Sequence, residues 1–219
     1  MALDKAESRK WLKKAADQGE PTAELLLGIA LQKGDGAAPD KEEAAKWFRK
    51  SAEHGNPGGQ MTLGMCYLGG DGVERNESEG LKWMQKAADS GMPLPQFMLG
   101  FYFYTHPDLK DNNAEAVKWF RLAAEQGDLL AQHHLGTCYQ NGTGVAQDLV
   151  EAYKWFAVAQ KESPAARISP DLLLQLSPQQ LVEGIKRAKA FVPREPGGDR
   201  PPIPPFALPE LSPLFRDKR

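Results

Sequence analysis

Five tryptophans set the frame of this chain. Trp11, Trp47, Trp83, Trp119 and Trp155 each stand 36 residues after the one before. A fixed period of about 20 to 50 residues marks a solenoid, a propeller or an array of small units. A unit that short cannot bury its own apolar face, so neighbours must stack and share a core.

The columns of the stacked units are helical. Asp4, Asp40, Asn76, Asn112 and Asp148 each precede a Glu by three residues: Glu7, Glu43, Glu79, Glu115 and Glu151. This spacing predicts a capping box, in which the first side chain accepts from the amide three residues on and the Glu reaches back. Apolar residues follow at helical spacing, as in Ala116, Trp119, Phe120, Ala123 and Ala124. Gly19, Gly55, Gly91 and Gly127 then end the helix. A second helix starts at Pro21, Pro57 and Pro93, and its interior carries Gly28, Gly64, Gly100 and Gly136. A mid-helix Gly costs about 0.5 to 1 kcal/mol relative to Ala. Its recurrence predicts close approach to the paired helix, beneath the Trp ring. The second helix closes on Gly-x-Gly at Gly34, Gly70 and Gly142. These loops follow helices rather than strands, which excludes a dinucleotide fingerprint.

The segments AAKWFRKSAEHGNPGGQMTLGMCYLGGDGV and AVKWFRLAAEQGDLLAQHHLGTCYQNGTGV resemble Sel1-like repeats, relatives of the tetratricopeptide repeats. The resemblance covers residues 4–160: units 4–39, 40–75, 76–111 and 112–147, and the first helix of a fifth, 148–160. It implies an all-α, right-handed α/α superhelix that acts as an adaptor or scaffold for protein complexes and occurs commonly in bacteria. A secreted branch of that family carries a disulfide in each repeat. This chain lacks those cysteine pairs, so the branch's β-lactam-related properties are not carried over. The third unit departs from the pattern at YTHPDLKDNN, where a different turn is expected.

Residues 161–192 read as a linker and a terminal cap. Ser169-Pro170 starts a short turn, and Ser177 to Gln180 opens a helix over 178–192 with Leu181, Val182, Ile185, Ala188 and Val192 on its apolar side. Eight prolines fall within 193–219, which predicts an extended tail. Its Phe206, Leu208, Leu211 and Leu214 are candidates to dock on the protein's own groove or on another chain's.

A net charge of −2 argues against nucleic acid, which calls for a basic surface. No apolar run approaches the roughly 20 residues of a membrane span. The polar start MALDKAESRKW carries no signal peptide, favouring the cytoplasm for the chain as given; a trimmed periplasmic or secreted form reads the same. Cys66 and Cys138 lie two repeats apart, roughly 20 Å at helix-packing distance, too far for a disulfide. Both read as small buried residues. His54, His106, His133 and His134 form no ligand set, no nucleophile motif occurs, and neither a cofactor nor an enzymatic activity is expected.

Two features remain as candidates for binding a protein or peptide. Lys10, Lys46, Lys82, Lys118 and Lys154 precede each Trp. They read as partners of the capping Glu residues, or as a basic ladder for an acidic peptide. Met61, Met65 and Leu68, then Phe97, Phe101 and Tyr104, form a second apolar stripe in repeats two and three. It reads as packing between repeats or as an exposed recognition patch. The expected function is a protein–protein adaptor. The alternatives are an envelope-associated enzyme or binder of cell-wall or β-lactam-like ligands, by family analogy, and a structural spacer.

Overall fold

The computed structural model describes residues 5–106, 111–163 and 167–195, the Ala6 side chain excepted. Among them are eleven helices and no strand. The first nine alternate as the columns require: α1 (Lys5–Ala16), α2 (Pro21–Lys33), α3 (Lys41–Glu53), α4 (Pro57–Gly69), α5 (Glu77–Asp89), α6 (Pro93–Thr105), α7 (Asn112–Glu125), α8 (Leu129–Asn141) and α9 (Leu149–Glu162). Each packs on the next along the chain, which gives an α/α solenoid. Then α10 (Pro170–Gln175) and α11 (Pro178–Ala190) both lie against α9.

Local chemistry accounts for the helix ends. Asp40, Asn76 and Asp148 accept from the amides of Glu43, Glu79 and Glu151. The reciprocal half of the expected box is not made there. Those Glu side chains turn instead to a Lys three residues on, where a full opposite charge is a stronger partner than a neutral amide. The complete box is built at α11, between Ser177 and Gln180. In the fourth unit the expected cap Asn112 is itself the first helical residue. Asp111 precedes it at φ 70° with no side-chain cap, and the Asn112 side-chain Nδ2 donates to the His106 carbonyl. Loss of the Gly-x-Gly turn brings the chain into α7 by a different path. Gly19, Gly55, Gly91 and Gly127 all take positive φ.

Trp47, Trp83, Trp119 and Trp155 are buried, and Phe48, Phe120 and Phe156 beside them are core as well. Trp11 is 61% exposed, and among the described residues no helix lies before α1 to cover its ring. The recurring helical Gly does allow close approach, but a different side chain fills the space. A methyl at Gly28 would lie 2.5 Å from the ring of Phe48, and one at Gly136 3.0 Å from Phe156. The residue after the Trp, from the following repeat, therefore presses on the Gly. Its Cβ points toward the preceding second helix, while the Trp Cβ one position earlier is turned about 100° around the α-helix axis.

A polar column runs through the same interface. Glu24, Gln60, Gln96 and Gln132 recur every 36 residues. The three glutamines donate to Ala52, Ala88 and Ala124 carbonyls at the ends of their partner helices. Gln126 donates to Gln96 across repeats at 2.8 Å, and Glu24 meets His54 at 2.8 Å in the equivalent place. These bonds satisfy helix-end carbonyls that packing would otherwise strand.

The last repeat is covered from two sides. Leu172 and Leu176 of the α10 region pack with Ala152 and Phe156. Gly184 of α11 abuts Tyr153, and Arg187 bonds Glu151 at 2.7 Å. Leu181, Ile185 and Ala188 are half-buried, whereas Val182 and Val192 are exposed. Phe191 replaces Val192 as the inward residue, its ring edge-on to Trp155 at 5.3 Å.

Candidate functional site

The first helices display a row of paired charges. Lys10, Lys46, Lys82 and Lys154 lie 3.5, 3.2, 3.4 and 3.1 Å from Glu7, Glu43, Glu79 and Glu151, and Lys118 pairs with Glu115. Each exposed ammonium thus has a carboxylate beside it, and the row is locally neutral. Surface pairs of this kind contribute about 0.2 to 0.5 kcal/mol each. Lys154 is the exception in exposure, at 19%, because α11 covers that rung.

A second set of lysines lies on the indoles. Lys13 and Lys50 sit 5.3 and 3.9 Å from the Trp47 ring, and Lys86 sits 4.1 Å from Trp83. Such cation–π contacts contribute about 0.5 to 1 kcal/mol at exposed sites. They shield rings that would otherwise face water at the seam between first helices. In the position of Lys50 and Lys86 the fourth and fifth repeats carry Leu122 and Val158.

The apolar stripe on the second helices divides. Phe97 is buried, and Met61, Leu68 and Tyr104 are half-buried against the same core. Phe97 is 5.9 Å from both Phe101 and Phe120. His134 stacks on Phe120 at 5.2 Å and meets Phe101 edge-on at 5.5 Å. Burial, with a smaller effect of His133, lowers the His134 pKa, so this ring joins the cluster in its neutral form near pH 7. Met65 and Phe101 stand out from this packing, 44% and 38% exposed at equivalent positions one repeat apart. In the first repeat the same position holds Ile29 and in the fourth Thr137.

Other chemistry is sparse. Among the described residues no three His, Cys, Asp or Glu side chains gather where they could hold a metal ion. No described helix is long and apolar enough to cross a membrane. Cys66 and Cys138 are free and buried, and burial pushes both thiols up to about 11. At neutral pH they are protonated and poor nucleophiles.

One recurring acidic column was legible in the sequence but not singled out. Asp17, Glu53, Asp89 and Glu125 recur at the C-terminal ends of the first helices. An acid there opposes the helix dipole; Asp17 is offset by Lys13 at 2.8 Å and Asp89 accepts from Gln85 at 2.9 Å within their own helices. At the fourth repeat Glu125 pairs instead with Arg194, beyond α11, at 2.9 Å. Most of the proline-rich tail, including Phe206, Leu208, Leu211 and Leu214, lies outside the described residues, as does Asp4.

The Sel1 repeat family model matches residues 2–20, 21–56, 57–92, 96–128 and 129–159. Among solved structures, a Sel1 repeat protein from Oxalobacter formigenes is 31% identical, with a TM-score of 0.68 over 85% of this chain and 79% of that one. A protective antigen of uropathogenic Escherichia coli is 27% identical, with a TM-score of 0.50; the match covers 90% of this chain and 50% of the antigen. An immunity protein from Pseudomonas aeruginosa shares the fold at 19% identity and a TM-score of 0.54, over 86% of this chain and 75% of that one. No curated protein sequence matches the chain.

Proposed function

The chain belongs to the Sel1 repeat family, and on that premise we propose that it is an adaptor holding a protein partner on its second helices in repeats two and three. Proteins built from Sel1 repeats generally mediate protein–protein interactions. The observation that carries the reading for this chain is the pair Met65 and Phe101. Both are exposed apolar side chains on adjacent repeats, and Phe101 is seated on the rings of Phe97 and His134. Exposed Met and Phe held on a preorganised surface are what an apolar partner side chain recognises, and little ordering entropy opposes binding there. Lys46, Lys82 and Lys118, with their paired Glu residues, add charges of both signs along the first helices. Their role in this reading is to orient a partner rather than to hold an acidic one.

The test is affinity capture with mass spectrometry by the wild-type chain and by Met65→Glu/Phe101→Glu, with circular dichroism confirming that the variant is folded. A buried carboxylate is strongly disfavoured at an apolar contact. A partner retained by the wild type should therefore be lost, at least tenfold in recovery, by the folded variant. Equal recovery by both would remove this face from the site.

A further inference from the structure

The first helices carry two kinds of cation. Lys46, Lys82 and Lys118 each stand beside a carboxylate. One turn further along, Arg49 and Lys50 of α3, Lys86 of α5 and Arg121 of α7 have no acidic partner among the described residues. Aromatic side chains hold them instead. Lys50 lies 3.9 Å from the centre of the Trp47 ring, and Lys86 4.1 Å from that of Trp83. Arg49 donates to the Tyr67 hydroxyl at 2.5 Å, and Arg121 donates to the Tyr139 hydroxyl at 2.7 Å. A ring or a hydroxyl fixes a cation without cancelling its charge. Each guanidinium has five N–H donors and spends one on its tyrosine, which leaves the others for a ligand.

These cations form one row. Arg49 and Arg121 occupy equivalent places two repeats apart, and Lys86 stands in the repeat between them. The second helices of these repeats, α4, α6 and α8, contain no Asp, Glu, Lys or Arg. The row is therefore separate from Met65 and Phe101, and each surface stands or falls by its own experiment.

We propose that this row docks an extended acidic segment of a partner protein, with one carboxylate at Arg49 and Lys50, one at Lys86 and one at Arg121. Neighbouring rungs are roughly 10 Å apart, and an extended chain advances about 3.3 Å per residue. An acid at every third residue thus meets one rung after another. Arginine receives a carboxylate through two parallel N–H bonds, and side chains already held in place lose little freedom on docking. A nucleic-acid duplex is broader than one helix face, and its phosphates would overlie Glu43, Glu79 and Glu115 on one flank and Glu53 on the other. The rungs also differ. A recess of about 420 Å³ beside Arg49 is lined by Glu42 and Glu74 as well. In the fourth repeat the same positions hold Ala114 and Ala146. Arg121 has no such competing acids and is the stronger anchor.

The test titrates the full chain into a dye-labelled peptide of serines with three glutamates, one at every third position, and follows fluorescence anisotropy at low salt. Saturable binding in the micromolar range is expected, weakened at least fivefold at physiological salt. Arg121→Gln should weaken it at least fivefold, and Arg49→Gln by a smaller factor. Lys50→Gln/Lys86→Gln, which removes no hydrogen bond within the protein, should also weaken it at least fivefold. Lys33→Gln/Lys189→Gln removes the same charge from exposed positions off the row and should stay within twofold of wild type. Absence of saturable binding would overturn the proposal. So would binding unmoved by Lys50→Gln/Lys86→Gln, or an equal loss with Lys33→Gln/Lys189→Gln, which would reduce the effect to net charge. A DNA duplex binding more tightly than the peptide would overturn it too, by making the row a nucleic-acid surface.

Discussion

Replacing Trp119 with Ala is expected to destabilise the chain by about 3 to 5 kcal/mol, the range for large aromatic truncations in cores. Trp119 is 2% exposed and packs in a cluster fed by three repeats, from Leu81 and Met84 to Leu135 and Trp155. Those neighbours belong to different helices held by their own contacts, so they cannot all collapse into the space an indole leaves. For a domain of this size each kcal/mol shifts the thermal midpoint by about 2 to 4 °C, and a fall of roughly 6 to 20 °C should follow. Trp11 is the internal control. It occupies the same column but is 61% exposed, touched by Lys14 at 4.3 Å. Trp11→Ala should cost about 1 kcal/mol or less. Equal falls in thermal midpoint for the two variants would contradict the repeat packing.

The second large effect is expected at Gly72. It has φ +70°, and a methyl there would lie 2.0 Å from the backbone oxygen of Lys41. The conformation alone costs an L-residue about 1 to 2 kcal/mol. The contact adds to this, because a helix-terminal carbonyl has no rotamer by which to retreat. To relieve it, the loop must lift from the start of α3 and break the 2.6 Å Lys41–Asp71 pair. Gly72→Ala should therefore cost about 3 kcal/mol or more. Gly55 separates the two causes. Its φ is +82°, yet nothing lies within 4 Å of an added methyl. Gly55→Ala should show the conformational cost alone, about 1 to 2 kcal/mol. Urea midpoints of the two variants provide the comparison, and a Gly72→Ala no worse than Gly55→Ala would show that the loop is not seated on α3.

Period and spacing made most of the architecture legible. One residue type at a fixed interval located the units, and side-chain chemistry at their ends located the helices. What was hidden depended on relations between units. The spacing put a large ring over each helical Gly but did not say which of two adjacent aromatics supplied it. That depends on the rotation of one helix against another; the residue after the Trp fills the space, Phe48, Phe120 and Phe156 at Gly28, Gly100 and Gly136, and Met84 rather than a ring at Gly64. The Glu of each expected capping box had two possible partners, and the ammonium outcompeted the amide. The stripe from Met61 to Tyr104 had the right period for an exposed face and for an inter-repeat seam. It serves as both, with Phe97 inside and Phe101 outside, since a helix between two neighbours buries more than one side. The column of Glu24, Gln60, Gln96 and Gln132 was visible as a recurrence. Its purpose appears only when the carbonyls it meets are placed beside it.

Rung-by-rung stabilisation is the claim on which the rest stands, and native-state hydrogen exchange followed peptide by peptide tests it most directly. An array in which each helix is held by its neighbours should exchange fastest where neighbours are missing. Amides of α1, which packs on α2 and has an exposed Trp11, should exchange at least a hundredfold faster than those of α7, which lies between α6 and α8 over a fully buried Trp119. Equal protection in α1 and α7 would contradict the account, because it would mean that stability does not come from stacking one repeat on the next.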